Sequence, residues 1–178
     1  MTVIHFLNVL EGDCNVIQHD SGRVTVIDIC NGNHDESQIV EILEKVNRLN
    51  EQKNRRFVPK SRIDYQQKKT PDNPIDYLSN KLKVNEINRF IITHPDMDHL
   101  DGIEALYSKF KVTNTWDTNN QKTISAAENF CGYRKEDWEF YANLRNGKYT
   151  RSKRLSSFDN TSPCQYWLDD VLSILAPS

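Results

Sequence analysis

The chain has 178 residues, 37% of them hydrophobic, with a mean hydropathy of −0.71 and a formal net charge of −2. That suffices for one core-bearing domain on the polar side of the soluble range, and it excludes a globally basic binder whose net field gathers a polyanion. No apolar run approaches the about 20 residues that a bilayer span needs, and Met1-Thr2-Val3-Ile4-His5 has neither the basic nor the apolar part of a signal peptide, so a cytoplasmic protein with no membrane partner is expected.

Apolar and polar residues alternate from Thr2 to Val9, and the pattern resumes at Asn15–Gln18 after Glu11-Gly12-Asp13. Arg23 to Ile29 is a third β-rich run behind the Ser21-Gly22 turn, so an antiparallel opening sheet is predicted. Asp28 closes the third strand. It is either an oriented acceptor that fixes a ligand or a cap on the turn Asn31-Gly32-Asn33, and Asp13 carries a similar double reading. Ile39, Ile42, Leu43, Val46 and Leu49 recur at three- and four-residue steps and predict an amphipathic helix over 36–49. Residues 50–73 are rich in Gln, Asn, Lys and Arg and read as a polar insertion. Within it Arg55 and Arg56 are candidate nucleic-acid contacts, against the reading that they are solvated surface.

Pro74 suits the first turn of a helix through Leu82, and Ile87 to Thr93 reads as a buried strand. A helical pattern follows over Gly102 to Phe110, then a strand over Val112 to Asp117. Trp138, Tyr141 and Leu144 mark the apolar stripe of a helix from Lys135 to Arg145. Beyond it Lys148, Arg151, Lys153 and Arg154 interleave with Tyr149 in a second basic stretch, another candidate grip on phosphates, and Val171 to Ser178 reads as a strand and a turn. Cys14, Cys30, Cys131 and Cys164 form no Cys-x-x-Cys pair; reduced thiols are expected, with Cys14 and Cys30 as small core residues.

Chemistry concentrates in Thr93-His94-Pro95-Asp96-Met97-Asp98-His99-Leu100-Asp101-Gly102, directly behind the apolar run Phe90-Ile91-Ile92. Imidazole and carboxylate are the ligand types that suit divalent zinc, manganese and iron, and a short loop lets several converge. His94, Asp96, Asp98 and His99 are the candidate ligands. Paired ions about 3.5–4 Å apart clamp the attacking and leaving oxygens of a hydrolysis, so two divalent ions, zinc or manganese, are the expected cofactors.

The segment resembles the metallo-β-lactamase signature, His-x-His-x-Asp-His; this chain reads His94-x-Asp96-x-Asp98-His99, with Asp96 in place of the second histidine. A carboxylate there is similar to the ComEC-like branch of that superfamily. Phe6-Leu7-Asn8-Val9-Leu10-Glu11-Gly12-Asp13-Cys14 resembles the branch's Phe-Leu-Asp-Val-Gly-Gln-Gly-Asp-Ala opening, and Val26-Ile27-Asp28-Ile29-Cys30 its Leu-Ile-Asp-Thr-Gly. The resemblance implies an α/β fold, one metallo-β-lactamase-like α/β/β/α sandwich over 1–178 with the first half to two-thirds present. It also implies that Asp13 and Asp28 stand behind the ligands, that His94 and Asp96 share one ion while Asp98 and His99 share the other, and that the last ligands come from a second half of the domain. No histidine follows His99, so either a second chain or a further C-terminal segment is expected to complete the site.

Three functions follow from these expectations. The first is a hydrolase, a phosphodiesterase or nuclease acting on DNA, in which Asp98 also takes the proton of the attacking water. The second is a hydrolase of a small thioester, lactone or lactam. The third is a non-catalytic interaction module that keeps the metal loop.

Overall fold

The structure, a computed structural model, describes residues 1–9, 12–34, 71–125, 130, 132–149, 151–155 and 169–172, with the isolated helical positions 38, 41, 44 and 48; of 151–155 it describes the backbone and the Arg154 side chain. It is an α/β protein built on one six-stranded sheet whose spatial order follows the chain.

The sheet opens as an antiparallel meander of β1 (Val3–Phe6), β2 (Asn15–Gln18) and β3 (Val24–Ile27), in which Ile4 pairs with Ile17 and Val16 with Val26. It then turns parallel: β4 (Glu86–Ile92) lies beside β3, β5 (Lys111–Thr118) beside β4, and β6 (Arg151–Leu155) beside β5. Parallel neighbours need crossover connections, and helices supply them. A short helix α1 (Pro74–Asp76) runs on into a π-helical turn (Tyr77–Lys81) ahead of β4. Helix α2 (Ile103–Lys109) joins β4 to β5, and α3 (Lys135–Arg145) joins β5 to β6.

Helix α1 starts where its sequence says it should. The Asn73 side chain accepts from the backbone amides of Ile75 at 2.8 Å and Asp76 at 3.2 Å, and Pro74 loses nothing by having no amide in the first turn. The same Asn73 amide donates to the carbonyls of Gly32 at 3.2 Å and His34 at 2.8 Å, tying the helix to the loop after β3.

Helices α2 and α3 pack on one face of the sheet. Val16, Val26, Phe90 and Ile92 from the strands and Ile103, Leu106, Tyr141 and Leu144 from the helices are all buried there, each worth about 1.5–3 kcal/mol for a side chain of this size. Tyr107 meets Phe90 edge to face at 5.9 Å between ring centres.

The expected elements are present with three differences. Strand β1 is shorter than the alternation from Thr2 to Val9: it ends at Phe6, and the Leu7 amide makes one further bond in the same register, to the Cys14 carbonyl at 3.1 Å. The second basic stretch is not a free loop: Arg151–Leu155 pairs with β5 as an outer strand, where Lys and Arg protect an edge. At Val171, where a strand is expected to begin, the chain is exposed with φ of 54°, a left-handed conformation that no strand position accommodates, and the rest of that expected strand and turn, 173–178, lies outside the described residues. The helix over 36–49 lies outside the described residues except for Gln38, Glu41, Glu44 and Arg48, which are helical and exposed, with Arg48 3.1 Å from Glu44. The polar insertion from 50 to 70 lies outside them as well. Cys14 and Cys30 are buried in the core. Among the described residues no helix is long and apolar enough to cross a membrane.

Candidate metal centre

Three loops meet at the C-terminal ends of the parallel strands, the place where open α/β sheets gather their ligands. They follow β3 at Asp28, β4 at Thr93 and β5 at Asn119.

The loop after β3 sets the scene. Asp28 takes φ of 56°, a left-handed turn that a short polar side chain tolerates, and this brings its carboxylate onto the end of β4. Oδ1 accepts from the Thr93 amide at 2.8 Å; Oδ2 accepts from the Thr93 hydroxyl at 2.5 Å and from Nδ1 of His99 at 3.0 Å. Burial pushes the Asp28 carboxyl above its ordinary range, and the hydrogen bonds from Thr93 and His99 pull it back. Of the two readings of Asp28, the structure places it behind His99.

This network assigns the donor nitrogen of each histidine. An ionised carboxylate only accepts, so Nδ1 of His99 donates to Asp28. The Thr93 hydroxyl has spent its proton on Asp28, so its oxygen accepts from Nδ1 of His94, 3.0 Å away, and both rings turn Nε2 toward the loop carboxylates. The rings lie 3.8 Å apart between centres, inclined at 51°. Nε2 of His94 faces Oδ2 of Asp96 at 3.7 Å, and Nε2 of His99 faces Oδ2 of Asp98 at 3.6 Å.

Each pair brings an imidazole nitrogen and a carboxylate oxygen together, donor types that suit a divalent cation when the nitrogen is unprotonated. Two ligands about 2.0–2.1 Å from a tetrahedral ion are about 3.3 Å apart, so the spacings fit one edge of a coordination sphere each. Among the described residues no three His, Cys, Asp or Glu side chains converge on one point; the donors come as two pairs.

The loop after β5 adds a residue that the sequence did not single out. The Lys122 ammonium is paired with Oδ1 of Asp96, and it holds that carboxyl below its ordinary range. Nothing in the local Asn119-Asn120-Gln121-Lys122 string marks the lysine, because its role comes from a contact 26 residues away. Its loop is pinned from behind. Arg145 donates to the Lys122 carbonyl at 2.9 Å, Arg154 donates to the carbonyl of Asn120, and the Asn120 amide reaches the Tyr141 hydroxyl at 3.1 Å.

A glycine lets two of the loops approach. Gly12 has φ of +69°, and a Cβ on it would stand 1.8 Å from the Asp98 carbonyl oxygen, so the first loop lies directly against the metal loop. Behind the site Asp101 accepts from the Asn31 amide at 2.9 Å and from the Asn33 side chain at 2.6 Å.

The other candidates fall elsewhere. Asp13 is exposed, and no hydrogen bond joins it to His94, Asp96, Asp98 or His99 among the described residues. Arg55 and Arg56, and the side chains of Arg151 and Lys153, lie outside the described residues. Lys148 is exposed, its ammonium 5.3 Å from the centre of the Tyr149 ring. Arg154 is half-buried and turned onto the carbonyls of Thr118 and Asn120, a brace on β5 rather than a free grip on phosphate. Compared with family models and with curated proteins, the chain matches none.

Proposed function

We propose that the chain is a metal-dependent hydrolase of phosphodiesters, DNA foremost, in which His94 and Asp96 hold one divalent ion and Asp98 and His99 hold a second. Zinc or manganese suits these donors, and a metallo-β-lactamase-like α/β/β/α sandwich is the architecture proposed with them. The observation that carries the reading is the pair of Nε2 atoms 3.6 and 3.7 Å from carboxylate oxygens, at the strand ends of an α/β sheet.

Bound there, divalent ions supply acidity to water and neutralise charge on the reacting oxygens. The chain's own residues supply the rest. Asp28 and Thr93 hold both imidazoles in the ligating tautomer, and Asp98, more than a third exposed, takes the proton of the attacking water. The arrangement in two pairs favours a second reading as well, an interaction module that binds metal weakly and does no chemistry, because catalytic sites hold an ion by about three protein ligands.

Manganese and labelled DNA given to the purified chain separate the two. Cutting that disappears in His94→Ala, with an unchanged circular dichroism spectrum, supports the hydrolase. Manganese binding without cutting supports the module, and no binding of manganese or zinc overturns both.

A further inference from the structure

The two ligand pairs are not equivalent. Asp98 and His99 face each other with no cation nearby on their own loop, whereas Asp96 already carries one: the Lys122 ammonium sits on Oδ1 while Oδ2 faces His94 at 3.7 Å. The lysine is delivered there on purpose-built backbone. Its carbonyl is held by Arg145 at 2.9 Å, the neighbouring Asn120 is held by Arg154, Tyr141 and Asp117, and Asn120 in turn accepts at its side-chain oxygen from the Lys122 amide at 3.1 Å. The braced backbone places the lysine beside Asp96 without further ordering of the loop, and the cost of pairing is then the rotamer freedom of the side chain itself.

We infer that Lys122 is an internal counter-cation that competes with the divalent ion for Asp96, so that the Asp98–His99 pair loads first and the His94–Asp96 pair second. This rests on the metal reading of the site. An ion entering between His94 and Asp96 meets a carboxylate whose charge is already balanced, and it meets the like charge of the ammonium a few ångströms away; both oppose binding there and act far less on Asp98. Once displaced, the ammonium stays at the rim on its braced loop, where an anionic oxygen of a substrate restores its partner.

Manganese alone, titrated calorimetrically into the full chain, tests this with no turnover involved. Wild type is expected to take up the ion in two steps. Lys122→Met keeps the length of the side chain and removes the charge; it tightens the weaker step by about two- to fivefold, the range that a half-exposed ion pair commands, and leaves the stronger step unchanged. Lys122→Arg keeps the charge and titrates as wild type. Equal effects of Met and Arg, or a Lys122→Met titration identical to wild type, overturn the competition while leaving the metal site standing. Absence of manganese binding in wild type and Lys122→Met alike overturns the competition together with the metal site.

Discussion

Nδ1 of His99 lies 3.0 Å from Oδ2 of Asp28, a contact that spans 71 residues of chain and decides which nitrogen of the ring is free. Asp28→Asn tests that decision. The asparagine oxygen still accepts from the Thr93 amide, but its amide nitrogen then faces His99 and turns Nδ1 into an acceptor, which moves the proton to Nε2. Metal affinity should fall roughly 10- to 100-fold, the usual cost of losing an orienting partner behind a ligating histidine, while the fold persists. Calorimetry with zinc or manganese checks it. An affinity equal to wild type removes Nε2 of His99 from the ligand set.

Gly102 makes a second prediction, about how the metal loop is joined to α2. It takes φ of +100°, and a Cβ on it would lie 2.5 Å from Cα of Gly32 in the loop after β3. Gly102→Ala should cost about 2–5 kcal/mol in a urea unfolding series, from left-handed strain and from the forced separation of two backbones. Gly22→Ala is the control. Gly22 has φ of +83° but nothing within 4 Å of the added carbon, so it should lose only about 1–2 kcal/mol. Equal losses at the two sites would mean that the loops part without resistance.

What could be read from the chain is what lies close together in it. Thr93 to Gly102 displayed its candidate ligand types within one loop, β4 and α2 displayed apolar periodicity, and Pro74 displayed a helix start, while the cap at Asn73 was hidden in the polar insertion. Non-local roles had no such trace. Asp137 sits in the first turn of α3, an ordinary place for an exposed acid, yet it is fully buried and accepts from the amides of Gly102 at 3.2 Å and Glu104 at 3.0 Å and from the Asn33 side chain at 2.7 Å. It caps α2 from another helix, which Gly102 with no side chain cannot do for itself. Lys122 acquires its partner the same way. Strand β6 was hidden for a different reason: Arg-Ser-Lys-Arg-Leu has no apolar alternation, and only pairing with β5 makes it a strand.

Asp117 predicts a pH dependence. It is buried at the end of β5, where burial pushes its carboxyl above the ordinary value of 3.8 against the pull of the Tyr141 hydroxyl, which donates to both oxygens at 3.0 and 3.1 Å. A folded value above the unfolded one means that the native state binds more protons between the two, so stability is full below the unfolded value and falls as pH rises through the folded one. Asp117→Asn removes the titration and keeps an acceptor for Tyr141. The stability difference, variant minus wild type, should therefore grow as pH rises from about 3.8 and level off above the folded value of Asp117. Subtracting the two urea series at each pH cancels the other buried acids. A difference that shrinks over that range reverses the sign and means that the Tyr141 hydroxyl together with the charges of Arg154 and Arg145 outweighs burial at Asp117.

Lys148 and Arg154 were grouped by sequence as phosphate grips, and the structure separates them. Lys148 is exposed beside Tyr149; Arg154 spends its guanidinium on the carbonyls of Thr118 and Asn120. Each phosphate contact by a free cation releases counterions and steepens the fall of affinity with salt, by about 0.9 in the log–log slope for duplex and about 0.7 for single strands. In fluorescence anisotropy with labelled DNA, Lys148→Ala should flatten the slope by about that amount and leave the unfolding midpoint in place. Arg154→Ala should leave the slope as it was and lose about 1–3 kcal/mol of stability, because the Asn120 carbonyl loses the Arg154 donor while the Thr118 carbonyl keeps only the Asn120 amide at 2.8 Å and the Asn120 side chain at 3.2 Å. The same comparison reports on the metal centre, since the Asn120 carbonyl that Arg154 holds belongs to the loop that carries Lys122 to Asp96. A variant at Arg154 that binds DNA with a flatter slope at unchanged stability would return this arginine to the nucleic-acid surface and leave the β5 loop without its brace.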